Sequence, residues 1–166
     1  MTSRTQFTDD EWTRLKRAPF VAGMAISLAD PGGPIEALKE TSATLKTALA
    51  GADEGGRGEL VEAIARDIRT DAQARKSPLA GFKPSSGATA GAEILDELRE
   101  VNRIVSEKAT PEDAAAARAW LLAVAQAAAD AAKEGGFMGF RAERVSEGEQ
   151  RMLDMLGDAL VAPPRS

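Results

Sequence analysis

The stretch that decides the fold begins at residue 90 and reads AGAEILDELREVNRIVSEK over residues 90–108. Ile94, Leu98, Val101 and Val105 are spaced four, three and four residues apart. This spacing places all four side chains on one face of an α-helix, because the helix completes a turn every 3.6 residues. Charged residues fill most of the positions between them, as expected for an amphipathic helix that packs against a core.

The next segment, ATPEDAAAARAWLLAVAQAAADAAK over residues 109–133, contains a second helix signal. Thr110 and Pro111, followed by two acidic residues, are typical of a helix start, and twelve alanines follow them before Lys133. Alanine has the highest helix propensity, and its short side chain lets neighbouring helices approach closely. Because only Ala109 and Thr110 separate the predicted helices at about 90–108 and 111–133, we predict an antiparallel helical hairpin at about 90–133.

The rest of the chain carries the same signals. Alanine accounts for 33 of the 166 residues, and no stretch alternates apolar and polar residues like a half-buried strand. Thr8 with Glu11, and Ser146 with Glu149, have the spacing of helix-capping boxes. We therefore predict an all-α protein: a single helical bundle of six to seven helices over residues 1–161, with a disordered tail at 162–166.

Pro19 predicts a helix boundary near the start of the chain. Proline suits the first turn of a helix, so we expect a short first helix containing Trp12 and Leu15 and a separate, buried helix over Phe20–Ala29. Each tryptophan, Trp12 and Trp120, lies on an apolar face and is expected in the core.

The composition excludes several classes of chemistry. The chain has no Cys and no His, so it offers no disulfide, thiol nucleophile, imidazole base or His-ligated metal. A net charge of −5 disfavours nucleic acid as a partner, and the densest basic run, residues 66–83, is diluted by Asp67 and Asp71. No segment has the length and hydrophobicity of a membrane span or a signal peptide. We expect a cytoplasmic protein.

The glycine-rich stretch GGFMGF at residues 135–140 is a candidate partner-binding segment. Exposed, Phe137, Met138 and Phe140 would form an apolar patch that binds another protein. Buried, the same three side chains would fill one end of the bundle while the glycines let the chain turn. The sequence leaves both alternatives open.

Carboxylates near the sharp turn at residues 30–34 form a candidate metal site. Asp30, Glu36 and Glu40 bracket this turn, and the two glutamates are four residues apart on one helix face. Oxygen ligands of this kind suit Ca²⁺ or Mg²⁺. In the alternative interpretation, Asp30 ends a helix and the glutamates are solvated.

A third candidate site would be catalytic. Ser42 and Lys46 are four residues apart on a predicted helix, and such a pair can act as nucleophile and base when the lysine is desolvated. On an exposed helix, the same pair is an ordinary surface feature. We therefore assign no catalytic residue.

A family resemblance is carried by five residues: Ala129, Asp130, Val145, Ser146 and Glu149. An alanine-rich helix ending in Asp, a glycine-containing turn and a Ser/Glu-capped helix resemble the tellurite-resistance TerB-type helical domains. The residues Ala29, Asp30 and Glu40 repeat the pattern near the N-terminus.

The resemblance implies helix-turn-helix units around an acidic cluster able to hold metal, with Asp130 and Glu149 in a second site. Where the family has Asp-Gly, this chain has Asp30-Pro31 and Asp130-Ala131.

These observations favour a non-enzymatic helical protein-interaction or scaffold domain without a cofactor. Its partner would be an unidentified protein, or a second copy of the chain in a homodimer. The alternative is a helical protein of TerB-like type that binds a divalent cation, Ca²⁺ or Mg²⁺, through carboxylates.

Overall fold

A computed structural model of the chain describes residues 2–29, 34–50, 58–85, 88–133 and 145–161. For residues 34–40, 42, 132 and 133 it describes the backbone alone. The predicted tail at 162–166 lies outside the described residues.

The described residues form six α-helices and no strand, which confirms the predicted all-α bundle. A short 3-10 helix at Arg4–Gln6 precedes them. The predicted hairpin consists of α4 and α5, joined by Ala109 and Thr110. The helices are α1 (Asp9–Ala29), α2 (Pro34–Ala50), α3 (Glu59–Gln73), α4 (Ala90–Lys108), α5 (Pro111–Lys133) and α6 (Glu147–Ala159).

The predicted boundary at Pro19 is wrong, because α1 runs without a break from Asp9 to Ala29. Proline inside a helix removes one backbone hydrogen bond and costs about 3 kcal/mol. Here Leu15 before the proline and Val21 and Ile26 after it are all buried in the same core. Packing along both halves of the helix outweighs the local cost, and the unbroken helix carries Lys16 and Phe20 on one face.

The central helices α1 and α5 each contact all five of the other helices. Small side chains make this possible: Ala125, Ala128 and Ala129 on α5 and Ala48 on α2 are fully buried. Both tryptophans lie in the core, as predicted. The two capping boxes, Thr8 with Glu11 and Ser146 with Glu149, also form.

The separation of α1 and α2 is set at Gly23, which lies against Thr44. A Cβ at Gly23 would collide with Thr44 Oγ1 and lie 2.9 Å from Thr44 Cγ2. Thr44 is buried, and its β-branched side chain has little freedom to move away. Only glycine therefore allows the two helices to pack at this distance.

We predict that Gly23→Ala lowers the free energy of unfolding by about 1–3 kcal/mol, because the added methyl group overpacks this contact. Gly157→Ala is the matched control, since nothing lies within 4 Å of a Cβ at Gly157 in α6. Its higher helix propensity should add about 0.5–1 kcal/mol. Urea unfolding measures both. A stabilising effect of Gly23→Ala would show that the α1–α2 contact is looser than described.

The start of α3 is held by the buried carboxylate of Asp113 on α5. Asp113 accepts hydrogen bonds from the backbone N–H of Thr2 at 3.3 Å, the backbone N–H of Leu60 at 3.4 Å and Thr110 Oγ1 at 3.1 Å. Leu60 lies in the first turn of α3, where the helix dipole favours an anion. Gly58 lies directly before α3 with φ +90°, and a Cβ there would lie 2.9 Å from Asp113 Oδ1.

Burial by itself would raise the pKa of Asp113, but the hydrogen bonds from Thr2, Leu60 and Thr110 outweigh it and lower the pKa below its ordinary value. In the unfolded chain this pKa is about 3.9. The ionised carboxylate therefore contributes stability above about pH 4, and the contribution is lost as the pH falls through the lower folded value.

We expect Asp113→Asn to lower the free energy of unfolding by about 2 kcal/mol near neutral pH, as for loss of charge-assisted hydrogen bonds. The difference from wild type should shrink as the pH falls from about 5 towards 2. Urea unfolding at several pH values measures it, with Glu112→Gln on the exposed face of α5 as control. A difference independent of pH would contradict the role given to the ionised carboxylate.

Candidate functional site

The predicted partner-binding segment with Phe137, Met138 and Phe140 lies outside the described residues. Both predicted alternatives, an exposed binding patch and a buried end of the bundle, therefore stay predictions.

The predicted cation ligands are only partly described. Asp30 lies outside the described residues, and Glu36 and Glu40 are described by backbone alone, in α2. Asp130 is exposed near the end of α5 and accepts a hydrogen bond from Gln126 Nε2 at 3.1 Å. Glu149 is buried, and its carboxylate accepts the Ser146 backbone N–H at 2.8 Å. Within the described part of the chain, no group of three or more acidic side chains is placed to hold a metal.

The proposed Ser42–Lys46 pair cannot be assembled from the described side chains. Ser42 is described by its backbone alone, and Lys46 is exposed on α2. Activation of such a pair requires a desolvated lysine, which an exposed position does not provide.

Ion pairs and a hydrogen bond to carboxylates, one of them buried, hold α1 against its neighbours. Glu97 on α4 is buried and pairs with Arg14 and with Arg17, whose Nε donates to Glu97 Oε1 at 2.8 Å. Trp12 Nε1 donates to Asp67 on α3 at 2.8 Å. These contacts cross between helices and leave no carboxylate of the set free for chemistry, so we assign them to stability.

A cleft of about 280 Å³ opens between α1, α2 and α3. This volume is close to the lower end of the range for ligand pockets, roughly 300–1,000 Å³. We call it the α1–α3 cleft. Its described lining residues are Lys16, Phe20, Thr41, Leu45, Ile68, Asp71, Ala72, Lys76, Ser77, Pro78 and Ala80.

Each of the three helices contributes a pair of side chains four residues apart to the cleft. Lys16 and Phe20 come from α1, Thr41 and Leu45 from α2, and Ile68 and Ala72 from α3. Residues at this spacing lie one above the other on a helix face, so the three pairs line three walls. The turn at residues 77–80, which follows α3, closes one side. The walls are mainly apolar.

The polar groups of the cleft are concentrated around the carboxylate of Asp71. Lys16 Nζ pairs with Asp71 Oδ2, and Lys76 Nζ lies 3.1 Å from Asp71 Oδ1. The hydrogen bond from Lys16, supported by that from Lys76, lowers the pKa of the Asp71 carboxyl. Two ammonium groups thus share one carboxylate, which leaves one positive charge in excess among the described lining residues.

The end of α3 places Lys76 at the cleft through a Schellman motif. The Arg75 N–H donates to the Ala72 carbonyl and the Lys76 N–H to the Asp71 carbonyl, both at 3.0 Å. The first residue after the helix cap in this motif adopts a left-handed backbone and is usually glycine. Here it is Arg75, with φ +55°. Ala80, which lines the cleft, has φ +47°.

These are the two non-glycine residues with positive φ in the described part of the chain. Both lie within residues 75–80, the segment after α3 that borders the cleft. A left-handed conformation costs a residue with a Cβ about 1–2 kcal/mol. Backbone strain of this kind is concentrated at functional sites in many proteins. The left-handed conformations of Arg75 and Ala80 therefore lower the stability of the protein at the edge of the cleft.

The α1–α3 cleft was not predicted from the sequence. The assumed break at Pro19 separated Lys16 from Phe20, and the acidic residues in the basic run 66–83 were counted as diluting its charge. In the structure, Asp67 and Asp71 both bind side chains of α1, whereas Arg66 and Lys83 of the same run are exposed to solvent. A prediction of one continuous helix through Pro19 would have placed Lys16 and Phe20 on the same face.

A second void lies beneath Trp120, Asn102 and Arg118. This void leaves room for at most a single water molecule, so it cannot hold a ligand.

No protein-family model, curated protein or solved structure matches this chain. The resemblance to TerB-type domains therefore stays a prediction. None of the described helices is both long and apolar enough to cross a membrane. Among the described residues, the α1–α3 cleft is the candidate binding site.

We expect Arg75→Gly to raise the free energy of unfolding by about 0.5–1 kcal/mol. It removes about 1–2 kcal/mol of left-handed strain, and the greater freedom of glycine in the unfolded chain offsets about half of this gain. Ala74→Gly is the control, because Ala74 has φ −80° and no strain to relieve, so it should destabilise. Urea unfolding distinguishes them. Equal destabilisation by both changes would mean that Arg75 is not strained.

Proposed function

We propose that the protein is a non-catalytic helical interaction domain that holds an apolar group of its partner in the α1–α3 cleft. The observation that supports this proposal is the composition of the cleft. Its walls are apolar side chains from three helices, and its charged groups, Lys16, Asp71 and Lys76, are paired with one another.

The pairing within the cleft favours binding over catalysis. A general base or nucleophile needs a free, activated group aimed at the reacting atom. The Asp71 carboxylate is held in its charged form by two ammonium groups, and no His or Cys exists in the chain. An apolar cleft with a few polar groups at its rim is the usual form of a binding pocket.

The other interpretations of the sequence stay open as proposals. Phe137, Met138 and Phe140 would supply a second binding surface if they are exposed, and a second copy of the chain could occupy it. The divalent-cation alternative depends chiefly on Asp30, Glu36 and Glu40, whose side chains are outside the described residues. No contact of the described residues favours these alternatives over the α1–α3 cleft.

The neutral fluorescent probe N-phenyl-1-naphthylamine tests the proposal, since its emission rises on entering an apolar site. We expect enhanced emission with the wild-type protein and its loss in Ala72→Phe, where the added ring fills the cleft. Ala72 is exposed, so the change should leave the fold intact, which circular dichroism checks.

The matched control is Ala123→Phe, an exposed alanine of α5 that does not line the cleft. This variant should bind the probe like wild type. Absence of emission with wild type, or undiminished emission with Ala72→Phe, would remove the cleft as the binding site.

A further inference from the structure

The charged and apolar groups of the α1–α3 cleft indicate which class of ligand binds there. We infer that its occupant is a small anionic amphiphile, an aliphatic chain ending in a single carboxylate. This inference rests on the proposed function, because it assigns a ligand class to the same cleft.

The apolar part of such a ligand fits the cleft walls. Phe20, Leu45, Ile68 and Pro78 present aromatic and aliphatic surface, and Leu45 is 36% exposed despite its size. Covering this surface removes apolar area from water, which favours binding by about 25 cal/mol per Å². A volume of about 280 Å³ holds a medium-length aliphatic chain or a single large side chain.

The anionic part of the ligand is specified by Lys16 and Lys76. Both ammonium groups bind the one carboxylate of Asp71, so the group of three carries an excess positive charge. The Lys76 side chain is 67% exposed and has donors left over, because an ammonium group offers three N–H bonds. A ligand carboxylate beside Lys76 would neutralise the excess charge.

The backbone of the turn is consistent with this assignment. The Schellman motif at the end of α3 brings the Lys76 side chain back to the Asp71 carboxylate. In many such motifs the residue at this position makes an apolar contact instead. The preceding residue, Arg75, adds a further exposed cation at a position where glycine would be more stable. The turn therefore retains positive charge at a cost in stability.

Displacement of N-phenyl-1-naphthylamine tests the inference with three probes of equal chain length: decanoate, decanol and decyltrimethylammonium, each below its micelle concentration. We expect decanoate to displace the dye at about one-tenth of the concentration that decyltrimethylammonium requires, with decanol between them. High salt should reduce the difference, because charges near the surface are screened within about 3 Å at 1 M.

Two substitutions should shift decanoate binding in opposite directions. Lys76→Met removes a cation and should weaken it roughly three- to fivefold, whereas Asp71→Asn removes the competing carboxylate and should strengthen it by a similar factor. Lys46→Met, an exposed lysine of α2 outside the cleft lining, is the control and should leave binding unchanged. Decanol binding should respond little to any of these changes.

The outcomes separate this inference from the proposed function. Dye binding with equal displacement by all three amphiphiles would overturn the anionic assignment and keep the apolar cleft. Dye binding without displacement by any of them would also overturn the inference, and would favour an apolar side chain of a protein partner. Failure of the dye itself to bind would remove the proposed function as well.

Discussion

The arrangement of helices around the candidate site depends on the carboxylate of Asp113. This one buried group accepts hydrogen bonds from the N-terminal segment at Thr2, from the cap of its own helix at Thr110 and from the first turn of α3 at Leu60. An unpaired buried carboxylate would be costly, so the three segments must stay together for the charge to be tolerated. This contact holds the first turn of α3, the helix that supplies one wall of the α1–α3 cleft through Ile68 and Ala72 nearer its other end.

Much of the fold could be predicted from local pattern, and the reason is physical. The period of Ile94, Leu98, Val101 and Val105 and the caps at Thr8, Thr110 and Ser146 depend on neighbouring residues alone, so a single sequence contains them. The continuity of α1 through Pro19 depends instead on packing of both its halves against other helices. Local rules recognise the cost of a proline and cannot weigh the burial that offsets it.

The candidate site was harder to predict, because its parts are distant in sequence and unremarkable one by one. Lys16, Leu45 and Asp71 come from three helices, and each is a common residue type at an ordinary helix position. The sequence also does not show which charges of residues 66–83 are exposed in the folded protein. Asp67 and Asp71 turn towards α1, where Trp12 and Lys16 bind them, so a run that looked electrically mixed presents exposed cations to solvent.

A chain with a net charge of −5 repels anions at long range, yet its cleft has an excess positive charge. The two statements are compatible, because salt screens the overall charge beyond about 8 Å at physiological ionic strength, whereas groups inside a concave apolar surface interact at a few ångströms. A bare anion would gain only the local attraction, whereas an anion attached to an aliphatic chain would also gain the burial of apolar surface. If the inferred ligand class is correct, the cleft should therefore prefer amphiphiles to simple anions, because only an amphiphile combines the local charge attraction with apolar burial.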